Sequence, residues 1–162
     1  MVKMKIVKHT TFDSIDKGKF AELVQAGFGR PLVNDYFEYV NPDYICLALA
    51  EEGSYVGAIV VERIPELHDV YYLDKIVVNP EMQRQGVGKM LWSALNGNSP
   101  KLIWRAKGDN PINEFYEKQS EGKLGFPELT DYMFYYYGLY PPQLKKAIDY
   151  ALSKKPTLVE GR

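Results

Sequence analysis

Three residues at fixed spacing, Gln83, Gly86 and Gly88, form a Q-x-x-G-x-G pattern that could hold an anion. The β-branched run Ile76–Val78 before them predicts a buried strand, and the three-to-four-residue apolar spacing after them predicts a helix. A glycine turn at a helix start offers unpaired backbone N–H groups and the positive end of the helix dipole. The alternative is a tight turn whose glycines only permit positive φ. Because G-x-G-x-x-G and Gly-Lys-Ser/Thr are both lacking, a pyrophosphate held without Mg²⁺ fits the pattern best.

Two cationic residues, Lys75 and Arg105, lie inside apolar strand patterns, where an uncharged side chain would be less costly. Arginine suits a planar carboxylate because two parallel N–H groups can hold both carboxylate oxygens. Each cation also has a structural alternative. Lys75 could form a salt bridge with Asp74 or Glu62, and Arg105 could pair with an internal acid. Each cation is therefore a candidate ligand for an anion.

The segment "DNPINEFYEK" combines helix-start signals with polar side chains. Asn110 followed by Pro111 predicts a helix that is capped by the asparagine and begins at the proline. Asn113 and Tyr116 are three residues apart and so share one face of this helix. The Tyr116 hydroxyl is either a hydrogen-bond donor in a site or the edge of a packed aromatic side chain.

Residues for other kinds of chemistry are few. Cys46 lies in the apolar run "YICLALA", which predicts a buried thiol rather than a nucleophile. His9 and His68 lie apart from the motifs above and are predicted to be surface or structural residues. We predict no metal site, because no cluster of metal-ligating residues occurs at ligand spacing.

Hydrophobic patterning predicts the elements that position these residues. Strands are expected at "MKIVKH", "YICLALA", "YVGAIVVERI", 70–78, "KLIWRA" and "YMFYYYGL". Helices are expected from Asp13 to about Ala26, within "GFGRPLVNDYFEYV", after Gly86 and in "DNPINEFY". A further amphipathic helix is expected near the C-terminus, with its stripe formed by Leu144, Ala147, Ile148, Ala151 and Leu152. Helices on a central sheet of mixed pairing indicate an α/β or α+β domain.

Composition limits the class of protein. The chain has 162 residues with a formal net charge of -1 and interspersed charges. This balance gives no electrostatic basis for binding nucleic acid. No segment approaches the roughly 20 apolar residues that span a bilayer, and the N-terminus lacks a signal-like apolar stretch. We therefore expect a cytoplasmic protein that acts on small molecules, without nucleic-acid or membrane partners.

The strand, glycine turn and helix resemble the acyl-CoA-binding motif of the GNAT superfamily of N-acyltransferases. Further segments occur in the order and approximate spacing of the acetyltransferase domain of N-acetylglutamate synthase. They are "FGRPLVNDYF", "YLDKIVV", "GVGKMLWSAL", "KLIWRAKGDNPINEFY" and "YYYGL". The resemblance extends from about Phe28 to Leu139. The segment "SEGKLGFPELTDYMF" departs from the family pattern, at the amine-side wall of the pocket.

The resemblance implies a GNAT fold, with a mixed, mainly antiparallel sheet flanked by helices, and a role for each motif. Lys75, Arg105, Asn110 and Asn113 would bind the amino-acid substrate, and Tyr116 would assist departure of the CoA thiolate. Arg84 is either a phosphate ligand or a solvated charge. The residues that would bind acetyl-CoA are Ile76, Val77, Val78, Gln83, Arg84, Gln85, Gly86, Val87, Gly88 and Lys89.

The expected function is direct transfer of an acetyl group to the α-amine of L-glutamate, in arginine biosynthesis. The alternatives are another acidic amino acid, succinyl-CoA as the donor, or a non-catalytic acyl-CoA-sensing module that binds a partner protein. Residues 1–140 are expected to form the acyltransferase domain, and 141–162 a helical extension and tail of that domain. The extension would pack on its own domain or on a second subunit of a homodimer.

Overall fold

The computed structural model describes residues 3–160, which form one mixed sheet and five helices. In chain order the elements are β1 (Met4–His9), α1 (Lys17–Phe28), α2 (Tyr36–Tyr39), β2 (Tyr44–Ala50), β3 (Tyr55–Arg63), β4 (Tyr71–Val78), α3 (Val87–Asn98), β5 (Leu102–Lys107), α4 (Asn113–Gln119), β6 (Gly122–Gly125), β7 (Tyr132–Tyr137) and α5 (Pro141–Ser153). Within the sheet the strands follow the spatial order β1-β2-β3-β4-β5-β7-β6.

The chain divides into two compact units, and β4 contributes to both. The first unit contains the residues up to Glu62, Asp74–Asn98 and the residues from Lys155 onward. The second contains Arg63–Leu73 and Ser99–Lys154. The first unit therefore carries the glycine turn, and the second carries the "DNPINEFY" helix.

Antiparallel pairing of β1 with β2 and of β2 with β3 builds the sheet of the first unit. Its core lies under α1 and α2, where Phe20, Val24 and Tyr36 are fully buried. Helix α3 packs closely on β3 because Gly57 has no side chain. A Cβ there would lie 2.7 Å from Val87 Cγ1 and 2.8 Å from Leu91 Cδ1. This close packing fixes the start of α3, and with it the glycine turn.

Parallel pairing in the second unit joins β4 to β5 at Tyr71↔Leu102 and Tyr72↔Ile103. The sheet continues through antiparallel pairing of β5 with β7 and of β7 with β6. Helix α5 buries Ala147, Ile148 and Ala151 in a core that includes residues of β4, β5 and β7. The predicted amphipathic helix is thus present and packs within its own unit.

The mixed, mainly antiparallel sheet confirms the expected fold class, but some predicted bounds are wrong. Helix α1 begins at Lys17 rather than Asp13, because the Asp16 side chain caps it by accepting a hydrogen bond from Lys19 N. A 3-10 turn occupies Phe12–Ser14 instead. The division of the chain at residue 140 stays a prediction.

The sequence also gave no indication of strand β6. It lies within "SEGKLGFPELTDYMF" and pairs with β7 from Gly122↔Tyr136 to Gly125↔Met133. No helix in the part of the chain that the structure describes is long and apolar enough to cross a bilayer.

Candidate active site

The glycine turn between β4 and α3 has a backbone shape that few residues adopt. Gly86 has φ of 84°, and Arg84, with φ of 68°, is the one non-glycine residue at positive φ within 3–160. The Gly86 carbonyl accepts the first helical hydrogen bond of α3, from Met90 N at 3.0 Å. The N–H groups of the first turn of α3 therefore have no preceding helical carbonyl to bind. Left-handed residues next to a helix start form a concave row of N–H groups that suits an anion.

Side-chain size around this turn also favours close approach by a ligand. A Cβ at Gly86 would meet no atom within 4 Å, and one at Gly88 would lie 3.8 Å from Val78 Cγ2. The side chains of Gln83, Arg84 and Gln85 are exposed, whereas Val87 is buried. The predicted acyl-CoA residues thus form an open loop that is anchored by Val87.

The strand before the turn is less buried than its β-branched sequence predicts. Val77 is 4% exposed, but Ile76 and Val78 are only half-buried because alternate residues of β4 face the other side. The Asp74 side chain is also only 4% exposed although the residue as a whole is half-buried. The exposed atoms of Asp74 therefore belong mainly to its backbone.

Lys75 is buried in the first unit and has polar and aromatic partners there. Its Nζ lies 3.6 Å from Asp74 Oδ2 and 5.0 Å from the centre of the Tyr36 ring, and donates a hydrogen bond to Thr157 Oγ1. The Tyr36 hydroxyl donates to the same Asp74 oxygen at 2.7 Å. The salt bridge with Asp74 is therefore present, and the role of Lys75 in substrate binding stays a prediction.

Arg105 lies in the second unit, where an aromatic ring supports it. Its Nη1 donates a hydrogen bond to the Ala151 carbonyl at 2.8 Å, and its Cζ lies 4.1 Å from the centre of the Tyr132 ring. Lys107, two residues further along β5, places its Nζ 4.5 Å from the centre of the same ring. Sequence reasoning missed Lys107, although the two-residue spacing from Arg105 puts both cations on one face of the strand.

Tyr116 is packed among aromatic rings on α4 and is 8% exposed. Its ring centre lies 5.7 Å from that of Trp104 and 5.6 Å from that of Tyr135. Burial raises the pKa of the Tyr116 phenol above its usual range, and Tyr135 adds to the shift. The hydroxyl is therefore neutral at physiological pH and can donate a hydrogen bond. The Tyr116 ring is therefore a packed aromatic side chain, which is one of the two alternatives. The role of its hydroxyl stays a prediction.

The two asparagines of this segment organise the start of α4, which lies further along the chain than predicted. Asn110 Oδ1 accepts a hydrogen bond from Ile112 N at 3.0 Å, so it caps a turn, and α4 begins at Asn113. The expectation that Asn110 caps the helix itself is wrong. Asn113 Nδ2 donates to the Lys107 carbonyl at 2.9 Å and ties α4 to the end of β5.

Residues suited to nucleophilic chemistry have structural environments, as the sequence predicts. Cys46 is 1% exposed, and burial raises the pKa of its thiol. His9 Nδ1 lies 2.9 Å from Ser14 Oγ. Neither residue offers an activated nucleophile.

Comparison with known families identifies the chain's relatives. The family described as "NAT, N-acetyltransferase, of N-acetylglutamate synthase" matches residues 7–152. The chain belongs to this family. It is thus a GNAT N-acetyltransferase. This membership favours an enzyme over the non-catalytic acyl-CoA-sensing module.

Relatives of this N-acetyltransferase include longer proteins. Mitochondrial N-acetylglutamate synthase of Mus musculus is 35% identical over 83% of this chain and 25% of its own length. Acetylglutamate kinase of Xanthomonas campestris is 26% identical over 96% of this chain and 35% of its own length. The chain therefore spans about a quarter to a third of the length of these curated relatives.

Solved structures support the GNAT fold of this N-acetyltransferase. A GNAT-family acetyltransferase of Staphylococcus aureus has a TM-score of 0.65 at 17% identity, over 83% of this chain and 98% of its own. The ribosomal-protein-S18-alanine N-acetyltransferase of Escherichia coli has a TM-score of 0.63 at 15% identity, over 85% and 96%. At these identities the likeness concerns the fold alone.

Proposed function

We propose that this N-acetyltransferase transfers the acetyl group of acetyl-CoA to the α-amine of L-glutamate, in arginine biosynthesis. The observation that carries the proposal is the family match over residues 7–152, which includes every residue that the sequence selects for the site. The geometry of each selected residue supports a role in this reaction.

The glycine turn would bind the pyrophosphate of the donor. The N–H groups of the first turn of α3 would face the phosphates next to the left-handed Gly86, and the α3 dipole would add positive potential there. The lack of a side chain at Gly86 leaves space for phosphate oxygens against the backbone. The exposed Arg84 and Lys89 side chains would add screened charge at the rim.

The accessible backbone of β4 would bind the reacting end of the donor. Acetyl-CoA supplies a thioester whose carbonyl carbon the α-amine attacks. An N–H group within Ile76–Val78 would donate to the carbonyl oxygen as negative charge develops on it. The new C–N bond forms as the C–S bond breaks, and the amine loses its proton to water.

The Tyr116 hydroxyl would assist thiolate departure. A phenol whose pKa is raised by burial is a reluctant proton donor, so a hydrogen bond to the departing sulfur suits it better than full proton transfer. Packing against Trp104 and Tyr135 fixes the ring and hence the direction of the hydroxyl. Its contribution would be geometric as well as electrostatic.

Cationic side chains would select an acidic acceptor. Arg105 and Lys107 flank one face of β5 above Tyr132, and one Arg105 nitrogen donates to a carbonyl. The planar guanidinium could hold a carboxylate through two parallel N–H groups. Lys75 would supply the second carboxylate contact. Asn113 would act by fixing the β5–α4 turn that carries Asn110.

A substrate panel tests the proposal. Thiol release from acetyl-CoA and succinyl-CoA is measured with glutamate, aspartate, glutamine and a neutral amine. We expect acetyl-CoA with glutamate to give the highest kcat/KM and glutamine to be far poorer, because it leaves a desolvated cation unpaired. Preference for aspartate or succinyl-CoA would reassign the acceptor or donor. Equal turnover of glutamine would reject the cationic site.

A variant pair links the panel to Arg105. Arg105→Met is expected to lower kcat/KM for glutamate by about 2–5 kcal/mol in free-energy terms, with acetyl-CoA binding preserved. Arg63→Met, which removes an exposed arginine, is the matched control and should behave as wild type. Equal effects of the two variants would contradict the role of Arg105.

A further inference from the structure

The residues after α5 form an ordered C-terminal tail, Lys155–Glu160, within the first unit. It runs antiparallel to Pro31–Val33, the segment between α1 and α2. Val33 N donates to the Thr157 carbonyl and Val159 N to the Pro31 carbonyl, both at 2.9 Å. Leu32 and Leu158 form the bridge between these bonds, and both side chains pack on the core of the unit.

Polar contacts anchor both ends of this tail. Lys155 N donates to the Tyr39 hydroxyl at 2.9 Å, and its ammonium pairs with Asp35. The hydrogen bond from Lys155 holds the pKa of the Asp35 carboxyl below its usual range. Glu160 lies 3.9 Å from Arg30 across the other end. The position of Thr157 is therefore determined from both sides.

Thr157 is the residue of the tail that contacts a predicted substrate ligand. Its Oγ1 accepts a hydrogen bond from Lys75 Nζ, while Asp74 Oδ2 lies 3.6 Å from the same ammonium. The Tyr36 hydroxyl donates a hydrogen bond to that Asp74 oxygen. A lysine side chain has several rotatable bonds, and two acceptors restrict its ammonium more than one does.

We propose that Thr157 is a positioning residue for the acceptor side of the reaction, because its hydroxyl orients the Lys75 ammonium toward the substrate carboxylate. The inference rests on the proposed role of Lys75. If Thr157 has this role, the C-terminal tail is part of the acceptor site. No contact between Thr157 and the substrate is required.

Steady-state kinetics on two Thr157 variants test the proposal. Thr157→Val keeps the shape and removes the hydroxyl, and it is expected to raise KM for glutamate about tenfold, on the scale of one lost hydrogen bond to a charged group. KM for acetyl-CoA should stay at the wild-type value. Thr157→Ser restores the hydroxyl and should recover most of the glutamate affinity.

A tail variant that leaves Lys75 untouched gives the matched control. Glu160→Gln removes the Arg30 pair and should leave both KM values unchanged. Thermal unfolding verifies that every variant is folded. A folded Thr157→Val protein with wild-type KM for glutamate, or a Thr157→Ser protein as impaired as Thr157→Val, would overturn the proposal.

Chemical labelling separates this proposal from the choice of acceptor. Removing an acceptor of the ammonium leaves the Lys75 side chain less restricted, so acetic anhydride should modify it faster in Thr157→Val than in wild type. Peptide mass spectrometry measures the rate at Lys75 and, as a reference, at the exposed Lys5. If wild type acetylates no acidic amino acid, the proposed function fails and labelling alone decides the Thr157–Lys75 link. An unchanged labelling rate would reject that link.

Discussion

The two units hold their selected cations in different ways. In the first unit, Lys75 is 6% exposed and is held by a carboxylate, a hydroxyl and a ring. In the second, Arg105 is half-buried, its Cζ lies 4.1 Å from the centre of the Tyr132 ring, and its Nη1 donates to the Ala151 carbonyl. The lysine belongs to a polar network, whereas the arginine rests on an aromatic surface.

This difference predicts that the two cations contribute unequally to the stability of the fold. When an ion inside a polar network is removed, its buried partners are left with an uncompensated charge, which destabilises the fold. An ion on an aromatic surface leaves behind a ring that packs without it. Substitution of Lys75 should therefore reduce the free energy of unfolding strongly, and substitution of Arg105 should reduce activity with less effect on folding.

The largest effect is expected from Lys75→Met. It leaves the Asp74 carboxylate buried without its cation, which costs about 3–5 kcal/mol in the free energy of unfolding. Arg105→Met should cost less than half as much. Urea unfolding measures both, and Lys5→Met, at an exposed site, should stay within about 0.5 kcal/mol of wild type.

A double variant sharpens this prediction. Asp74→Asn combined with Lys75→Met removes both charges and should recover most of the stability lost in Lys75→Met. If Arg105→Met destabilises the protein as much as Lys75→Met, the contrast between the two units is wrong.

A smaller effect is expected at the glycine turn. Gly86→Ala places a side chain at φ of 84°, which costs roughly 1–2 kcal/mol, and acetyl-CoA affinity should fall up to about tenfold as the turn shifts. Gly97→Ala is the matched control, because Gly97 is an exposed residue of α3 and a Cβ there would meet no atom within 4 Å. Calorimetric titration with CoA measures both. Equal affinities of the two variants would show that the turn does not depend on its left-handed residue.

The smallest effect on stability is expected from Tyr116→Phe. Because the ring packing is kept, the free energy of unfolding at pH 7 should change by about 1 kcal/mol or less, while kcat falls tenfold or more. Tyr140→Phe, at a residue 66% exposed, should change neither. Wild-type kcat in Tyr116→Phe would leave Tyr116 as a packing residue only.

The raised pKa adds a pH test with a defined sign. The folded state favours the neutral Tyr116 phenol, so this stabilisation is present below the unfolded pKa of about 10 and is lost as pH rises toward the folded pKa. Wild-type unfolding temperature should fall above about pH 10, and it should fall less in Tyr116→Phe.

Local patterns in the sequence predict most of the sheet but not its last hairpin. The β-branched and aromatic runs of β2, β3 and β7 give clear strand signals, and each strand is present. Strand β6 has the sequence GKLG, whose flanking glycines favour a loop. It forms because β7 offers a partner, which is information that no short window contains.

The candidate site divides in the same way. The glycine spacing and the cations embedded in apolar strands can be recognised from short segments of the sequence. The partner of Lys75 cannot be recognised locally, because Thr157 lies 82 residues away and "KPTLVE" carries no strong strand pattern. Asn110 is predicted from a strong helix-capping pattern, but its side chain caps a turn just before the helix.

Pairing of the C-terminal tail with Pro31–Val33 also affects the order in which contacts can form during folding. The ion pair between Asp35 and Lys155 spans 120 residues, so loop closure makes it one of the slowest contacts to form. During synthesis, a nascent chain that has emerged only as far as Ser153 already contains every strand of the sheet, yet its Lys75 lacks the Thr157 hydroxyl. The contact that is proposed to orient Lys75 can therefore form only after every strand of the described sheet has been synthesised.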